Sequence, residues 1–301
     1  MIARAPQDNF AGRLDYYRAR VNEQLTVALA DNDMPTRLCE AMKYSVLGDG
    51  KRIRPLLAYA SGELCGLDEK ESDCIAASVE MVHAYSLIHD DLPAMDDDDL
   101  RRGKPTTHKA FDEATAILAG DALQALAFEM LCVDPVLSSQ PAAQSRIIGW
   151  LARSIGPAGM VGGQALDLYA ENRRLDESAL EDVHRRKTGQ LIRAAIMMPS
   201  ELADMTSDAR SSLDYFAREI GLVFQIRDDL LEIEQDTETL GKNAASDVAN
   251  NKSTYPSVLG VEGARQRADE IYGRALTALD TASNDTEGLK WIAEFILHRS
   301  H

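Results

Sequence analysis

The chain has 301 residues, a formal net charge of −17, 45% hydrophobic residues and only 6% aromatic residues. This length suffices for one large hydrophobic core or two modest ones, and the composition favours helices over a β-sandwich or a β-barrel. A surface this acidic repels nucleic acid and anionic lipid but is compatible with metal cations, so we expect no nucleic-acid partner.

Apolar residues at spacings of three and four predict helices along nearly the whole chain. The predicted helices cover residues 13–30, 35–46, 55–66, 69–92, 110–132, 141–155, 158–170, 176–198, 206–235, 261–282 and 286–298. Turn residues cluster between them, and no segment alternates convincingly as a strand does. We therefore expect a single all-α domain over residues 1–301. The long connection 235–256 is expected to act as a lid.

Cysteine usage and hydropathy bear on the compartment. The four cysteines are scattered and no two have CxxC spacing, a pattern typical of reduced thiols in a cytoplasmic protein. The segment MIARAPQDNFAGRLDYYRAR contains no apolar h-region of a signal peptide. No run of 18 apolar residues is present, so we expect no membrane span.

Two acidic clusters stand near the C-terminal ends of predicted helices, DDLPAMDDDD at residues 90–99 and DDLLE at 228–232. Pro93 should disrupt the helix between Asp90 and Asp96, so that Asp96 folds back from irregular backbone. Carboxylates that converge from facing helices are the oxygen ligands that Mg²⁺ prefers. The two clusters together therefore indicate a metal site.

A single acidic run is usually a solvated helix end, and an EF-hand is excluded because no glycine occupies the required turn position. Cations beside both clusters favour a functional interpretation. Arg101 and Arg102 follow the first cluster, and Lys242 and Lys252 follow the second. Acidic and basic side chains together are typical of metal-bridged phosphate binding.

Further cations stand where anions bind. Lys51 and Arg54 belong to GKRIRP, whose proline should open the next helix, and helix N-termini favour anions. Lys187 precedes Thr188 inside a helical stretch, where the threonine is either helix filler or a donor to phosphate. His83 lies two helical turns before the first acidic cluster, although such a histidine is more often a satisfied core residue.

Together these segments resemble the trans-prenyltransferases, the isoprenyl diphosphate synthases. HDDLPAMDDDDLRRG is similar to the first aspartate-rich motif of that family, and FQIRDDLLE is similar to the second. GKRIRP, GGQALDL, KTGQL and LGK to NKSTYP match further family blocks in the expected order. The resemblance covers roughly residues 40–300. It implies an all-α isoprenoid-synthase bundle around a deep central cavity, usually in a homodimer.

The resemblance implies that isopentenyl diphosphate condenses with an allylic diphosphate, dimethylallyl or geranyl, after Mg²⁺-assisted ionisation. Three magnesium ions are expected, with Mn²⁺ as a substitute. The implied metal ligands are Asp90, Asp96 and Asp228, with Asp91, Asp229 and Glu232 as further candidates. The implied substrate-binding residues are Lys51, Arg54, His83, Arg101, Arg102, Lys187, Thr188, Gln225 and Lys242. Those expected to act in the chemical step are Asp90, Asp96, Arg101, Lys187, Asp228 and Lys242.

The chain departs from the family's pattern at two positions of the second motif. The motif commonly ends in aspartate, and here it ends in Glu232, whose longer side chain reaches metal either directly or through water. A glutamine is frequent where Arg227 stands, and the motif itself suggests no role for this arginine.

Tyr85 and Ser86 bear on the length of the product. Ser86 lies on roughly the Asp90 face of the helix and Tyr85 lies about 100° further round, so helix geometry alone does not identify the cavity floor. By resemblance, an aromatic residue there, with the Pro93-Ala94 insertion, is similar to bacterial farnesyl diphosphate synthases. We therefore expect a fifteen-carbon (2E,6E)-farnesyl product, with geranylgeranyl diphosphate as the alternative.

Three rival functions remain. A non-catalytic subunit of a prenyl synthase usually lacks one acidic motif, whereas this chain has both. An acidic scaffold or metal buffer leaves GKRIRP and KTGQ unexplained. A terpene cyclase shares the ionisation step but needs no second cationic pocket, and consumption of isopentenyl diphosphate distinguishes it from a synthase.

Overall fold

The computed structural model describes residues 10–30, 33–48, 50–238, 252–282 and 285–299. Within these ranges nearly all regular structure is helical, as predicted. The α-helices are α1 (Phe10–Ala28), α2 (Thr36–Val46), α3 (Ile53–Leu64), α4 (Glu69–Asp90), α5 (Thr107–Ala110), α6 (Glu113–Val133), α7 (Pro135–Ser138), α8 (Pro141–Ile155), α9 (Met160–Ala170), α10 (Glu177–His184), α11 (Gln190–Met197), α12 (Ser207–Glu238), α13 (Tyr255–Leu279) and α14 (Glu287–His298). A π-helical turn (Arg185–Gly189) joins α10 to α11, and a 3₁₀ turn (Pro199–Leu202) follows α11.

The bundle is built around α3 and α4, which are buried on almost every side. Helices α1, α3 and α6 pack against α4, while α12 packs against α11 and α13. A helix that is largely apolar all round belongs inside a bundle, as the run from Cys74 to Val79 illustrates. Small residues in that run, such as Ala76 and Ala77, allow neighbouring helices to approach closely. The all-α fold expected from the sequence is thus confirmed.

Several helices begin where the sequence carries capping residues. Asp68 caps α4 and forms a capping box with Glu71. Asp112 accepts a hydrogen bond from the amide of Thr115 and so caps α6. These caps satisfy amides that have no partner within the helix. Helix α4 begins at residue 69 as predicted, whereas α6 begins at Glu113 rather than at residue 110.

Local backbone explains where the structure differs from the predictions. A short antiparallel hairpin, β1 (Leu100–Arg101) and β2 (Lys104–Pro105), was not predicted because each strand is only two residues long. Its turn residues have φ values of 53° at Arg102 and 76° at Gly103, as a type I′ turn requires. Helix α13 begins at Tyr255 rather than at residue 261, since Gly260, with φ 75°, interrupts the helical periodicity.

No membrane span is expected from the sequence, but helix α6 is unusually apolar. Among the described residues it is the one helix long and apolar enough to allow a crossing, and only 33% of its most apolar part is buried. Core helices pass the same test, so this helix is weak evidence for a span.

A buried ion pair holds the loop that precedes α3. Arg52 Nη1 donates to Glu80 Oε1 at 2.6 Å, and both side chains are only 4% exposed. Arg52 also donates to the carbonyls of Val46 and Gly48, at 2.8 and 3.0 Å. Arg52 therefore has a structural role, although it stands in the GKRIRP segment among the cations expected to bind substrate.

The Glu80→Ala variant should lose about 3–5 kcal/mol of unfolding free energy, because it leaves a buried guanidinium without its counter-charge. Urea unfolding followed by circular dichroism measures this loss. As a control, Arg37→Met removes the exposed pair with Asp112, whose side chains are 61% and 46% exposed. That change should cost less than about 1 kcal/mol. Equal losses in the two variants would contradict a structural role for the buried pair.

Candidate active site

A cavity of about 770 Å³ opens among α3, α4, α9, α12 and the π-helical turn. Most residues that the sequence assigned to substrate, metal or product length line it. They are Lys51, Arg54, His83, Tyr85, Ser86, Asp90, Arg101, Arg102, Lys187, Thr188, Gln225 and Asp228. The fold thus gathers residues that lie far apart in the sequence, from Lys51 to Asp228, around one space.

The first acidic cluster forms one wall of this cavity. Helix α4 ends at Asp90, and the backbone then folds back so that the amide of Asp96 donates to the Asp90 carbonyl at 2.9 Å. Pro93 lies in this turn, where the sequence placed the disruption. Burial raises the pKa of Asp90 to about 6, although the charge of Lys187 opposes the shift. A neighbouring cation stabilises the charged form of a buried carboxylate such as this one.

Asp167 and Lys252 connect this wall to the π-helical turn. Asp167, on α9, accepts a hydrogen bond from Lys187 Nζ at 2.6 Å. Lys252 Nζ donates to Asp96 at 2.9 Å and to Asp167 at 3.4 Å. In the sequence Lys252 stood out only as a cation that follows the second acidic cluster, and Asp167 did not stand out, although both lie in blocks that carry the family resemblance.

Gly163 allows α9 to lie directly against the π-helical turn. A Cβ atom at this position would collide with the backbone nitrogen of Lys187. The close approach holds Lys187 between two acidic neighbours, Asp167 and Asp90. Burial alone would lower the pKa of Lys187, but these carboxylates raise it above its usual value, so the side chain stays charged.

Asp228, on α12, is the acidic residue of the second cluster that reaches the cavity. Its side chain is 41% exposed, and this surface belongs to the cavity lining. Burial raises its pKa to about 6, while the charge of Arg299 opposes the shift. Arg299 Nη2 donates to Asp228 Oδ1 at 2.6 Å.

The cations of GKRIRP lie near His83 and Phe224. Burial lowers the pKa of Arg54 to about 10, and its guanidinium carbon lies 5.8 Å from the centroid of the Phe224 ring. Burial and the charge of Arg54 lower the pKa of His83 well below its usual range, so the imidazole is neutral. Burial, together with the charge of Arg299, lowers the pKa of Lys51. The lowered pKa values mean that the charged forms of these three neighbouring bases are disfavoured. A bound anion would stabilise those charged forms.

Some of the candidate residues serve other contacts. Asp91 is 3% exposed and accepts a hydrogen bond from Arg101 Nε at 2.7 Å, so it positions that arginine. Asp229 is also 3% exposed and accepts from the Gln225 amide and from the backbone amide of Tyr255, each at 2.9 Å. Neither aspartate lines the cavity. The sequence pattern does not show which aspartates are buried, so it could not separate these two from those that face the cavity.

Two of the candidate metal ligands, Asp96 and Glu232, are not among the residues that line the cavity. Lys242 lies outside the described residues, as does most of the predicted lid at 235–256. Thr188 donates to the Gln225 carbonyl oxygen at 2.8 Å, which fixes the orientation of both side chains.

The apolar part of the cavity includes Met160, Val161 and Leu168 from α9. Tyr85 is 4% exposed and contacts His89 edge to face, with ring centroids 5.7 Å apart. Its neighbour Ser86 donates to the carbonyl of His83 at 2.9 Å. The structure therefore places both chain-length candidates on the cavity wall, with Tyr85 as the bulkier one.

The chain is similar to known proteins over most of its length. The family model for polyprenyl synthetase matches residues 35–287. The farnesyl diphosphate synthase of Haemophilus influenzae is 45% identical over 97% of this chain and 99% of its own length. That of Escherichia coli is 49% identical over 88% and 90%.

A solved structure shares the fold as well as the sequence. An FPP/GFPP synthase from Zymomonas mobilis superposes with a TM-score of 0.85, at 38% identity, over 95% of this chain and 98% of that one. The family-model match, residues 35–287, includes both acidic clusters. The chain therefore belongs to the polyprenyl synthetase family.

Proposed function

We propose that the chain is a short-chain trans-prenyltransferase that condenses isopentenyl diphosphate with dimethylallyl and geranyl diphosphates to give (2E,6E)-farnesyl diphosphate. One observation carries the proposal. A single cavity combines two acidic walls, Asp90 and Asp228, with a separate group of bases around Arg54 and an apolar wall that includes Tyr85. The two acidic walls suit one metal-bound diphosphate, and the bases suit a second.

The carboxylates fit Mg²⁺, which takes one or two protein carboxylates and completes its shell with water and phosphate oxygens. In the described part of the chain, no three acidic, histidine or cysteine side chains form a complete metal site, so diphosphate oxygens would supply the missing ligands. Asp90, Asp96 and Asp228 would hold the ions. When bound, Mg²⁺ neutralises the leaving diphosphate, and Mn²⁺ accepts the same oxygen ligands.

The chain's own residues would bind, orient and shield the substrates. Lys187 stays protonated between its carboxylates and, with Arg101, would stabilise the leaving diphosphate of the allylic substrate. Lys51, Arg54 and His83 would hold isopentenyl diphosphate so that its double bond faces the allylic carbon. The carbocation formed by condensation then loses a proton, with the departing diphosphate as the proposed acceptor, to give the product. The apolar wall excludes water, which would otherwise quench the allylic cation.

A product assay tests this function. The purified protein is incubated with dimethylallyl and isopentenyl diphosphates and Mg²⁺, and the prenyl alcohols are identified after phosphatase treatment. We expect farnesol as the dominant alcohol and none when EDTA is added. Geranylgeraniol as the dominant alcohol would support the condensation reaction but would show that the product is longer than farnesyl diphosphate. The absence of any alcohol would contradict the enzymatic proposal.

A cytoplasmic location is proposed together with this activity. Cys39, Cys65, Cys74 and Cys132 are all free thiols. Free thiols are typical of a reducing compartment. Burial raises the pKa of Cys74 to about 12, so this thiol has little tendency to react.

A homodimer is also proposed, with helix α6 at the interface. Ile117, Leu118 and Val133 of this helix are 44%, 57% and 67% exposed. The opposite face of α6 packs on α2 and α4 within the same chain. Exposed apolar side chains on a helix whose other face is already packed are typical of a surface that a second copy covers.

The Leu118→Glu variant should halve the molar mass measured by light scattering, because the carboxylate would be buried unpaired at the dimer interface. Val27→Glu is a matched control, since Val27 is 67% exposed on α1, away from α6. That variant should keep the wild-type mass. A mass of one chain for the wild type, or an unchanged mass for Leu118→Glu, would contradict the interface.

A further inference from the structure

Arg227 has no role in the reaction proposed above, yet it is held firmly. Its Nε and Nη2 atoms donate to the backbone carbonyl of Arg299 at 3.0 and 2.9 Å. Its Nη1 and Nη2 atoms also donate to the Glu234 carboxylate at 3.3 and 3.0 Å. Arg265 of α13 donates to the same carboxylate at 2.9 Å. Arg227 thus links α12 to the residue that follows α14.

Arg299 turns its side chain back into the cavity. Its backbone amide donates to the Phe295 carbonyl at 3.0 Å and so ends α14. Its guanidinium carbon lies 4.0 Å from the centroid of the Phe224 ring, and Nη2 donates to the Phe224 carbonyl at 2.9 Å. The residue is 7% exposed, and its side chain also donates to Asp228. A buried guanidinium is therefore paired with a carboxylate assigned to metal.

We propose that Arg227 is a positioning residue that fixes Arg299 as the internal counter-ion of Asp228. Two charge-assisted hydrogen bonds to the Arg299 carbonyl keep its guanidinium beside Asp228 Oδ1. A divalent cation that takes this oxygen must displace the guanidinium. The Arg227 contacts therefore raise the metal concentration at which Asp228 is occupied. This inference rests on the proposed function only in taking Asp228 as a metal ligand.

A purely structural tether would behave differently. Helix α14 is attached to the bundle independently, through buried Leu289 and Ile292 and through Glu287, which accepts from the Phe10 amide at 3.0 Å. Loss of Arg227 should therefore leave the fold intact. A tether would affect stability alone, whereas a counter-ion affects how tightly the site holds metal.

Trypsin tests the position of Arg299 without metal or substrate. The enzyme must bind the Arg299 side chain and attack the same carbonyl that Arg227 holds. Cleavage after Arg299, followed by mass spectrometry of the intact protein, should be at least about tenfold faster in Arg227→Met than in the wild type. Arg265→Met is the matched control, because it removes the other partner of Glu234 and leaves Arg299 untouched. Equal rates in the wild type and Arg227→Met would overturn the positioning role.

Metal binding tests the counter-ion role. Free Mn²⁺ is measured by electron paramagnetic resonance while the protein is titrated in the presence of inorganic diphosphate. Both Arg227→Met and Arg299→Met should lower the half-saturating Mn²⁺ concentration, by about tenfold for the loss of one charged hydrogen bond. Arg265→Met should match the wild type, and circular dichroism verifies that each variant is folded.

The two experiments separate the inference from the function on which it rests. Unchanged Mn²⁺ affinity in Arg227→Met and Arg299→Met would overturn the counter-ion role even if trypsin cleaves faster. Failure of the wild type to bind Mn²⁺ at all would reject the metal assignment of Asp228 together with the counter-ion role. The trypsin rates would then still decide whether Arg227 positions Arg299.

Discussion

The Asp90→Asn variant should lower kcat by at least about a hundredfold, and Asp228→Asn should do the same from the opposite wall. A metal ion that neutralises a leaving group contributes several kcal/mol to the transition state, and each ~1.4 kcal/mol is a factor of ten in rate. The amide has the shape of the carboxylate but not its charge. Steady-state turnover of geranyl and isopentenyl diphosphates at saturating Mg²⁺ measures the effect.

A matched control lies within the same run of aspartates. Asp99 is exposed and pairs with Lys109 at 2.8 Å, so its carboxylate is already engaged away from the cavity. The Asp99→Asn variant should stay within about a factor of two of the wild type, as expected for an exposed ion pair. Wild-type turnover in Asp90→Asn, or an equal loss in Asp99→Asn, would contradict the assignment of the first acidic wall.

The Tyr85→Ala variant should shift the major product beyond fifteen carbons. The ring is buried in the cavity wall, and its removal opens space into which a growing prenyl chain can extend. A buried aromatic residue replaced by alanine also costs about 3–5 kcal/mol of stability, so the assay should be run well below the unfolding temperature. Chromatography of the prenyl alcohols measures the product distribution.

The Tyr85→Phe variant separates the ring from its hydroxyl group. It keeps nearly the whole volume of the side chain and should therefore keep the fifteen-carbon product. If Tyr85→Ala still makes a fifteen-carbon product, another residue limits the chain. Longer products from Tyr85→Phe would mean that the hydroxyl group, rather than bulk, sets the length.

The helices could be predicted because their apolar spacing is strong and their caps are local. The start of α13 at Tyr255 was missed, since Gly260 shifts the periodicity that the prediction follows. The short hairpin was missed because its backbone pairing depends on two positive φ values rather than on side-chain alternation.

The candidate site was also predicted only in part. Motif spacing and resemblance identified Asp90, Lys187 and Asp228, which the fold brings to one cavity. The partners that orient such residues are distant in sequence and belong to no common short pattern. Lys252, which donates to Asp96 across 156 positions, is one such case. Arg227 is another, because its function depends on a backbone carbonyl 72 residues away.

The π-helical turn at Arg185–Gly189 sets the phase of the long helical stretch from Glu177 to Met197. A π turn holds one more residue than the α-helical turn that it replaces. If this turn were made regularly α-helical with all its residues kept, the residues on its two sides would rotate by about 100° relative to each other. Either the buried face of α11 or the pair Lys187 and Thr188 would then point the wrong way. An engineer who idealises this helix for stability would thus misalign the cavity with the core behind it.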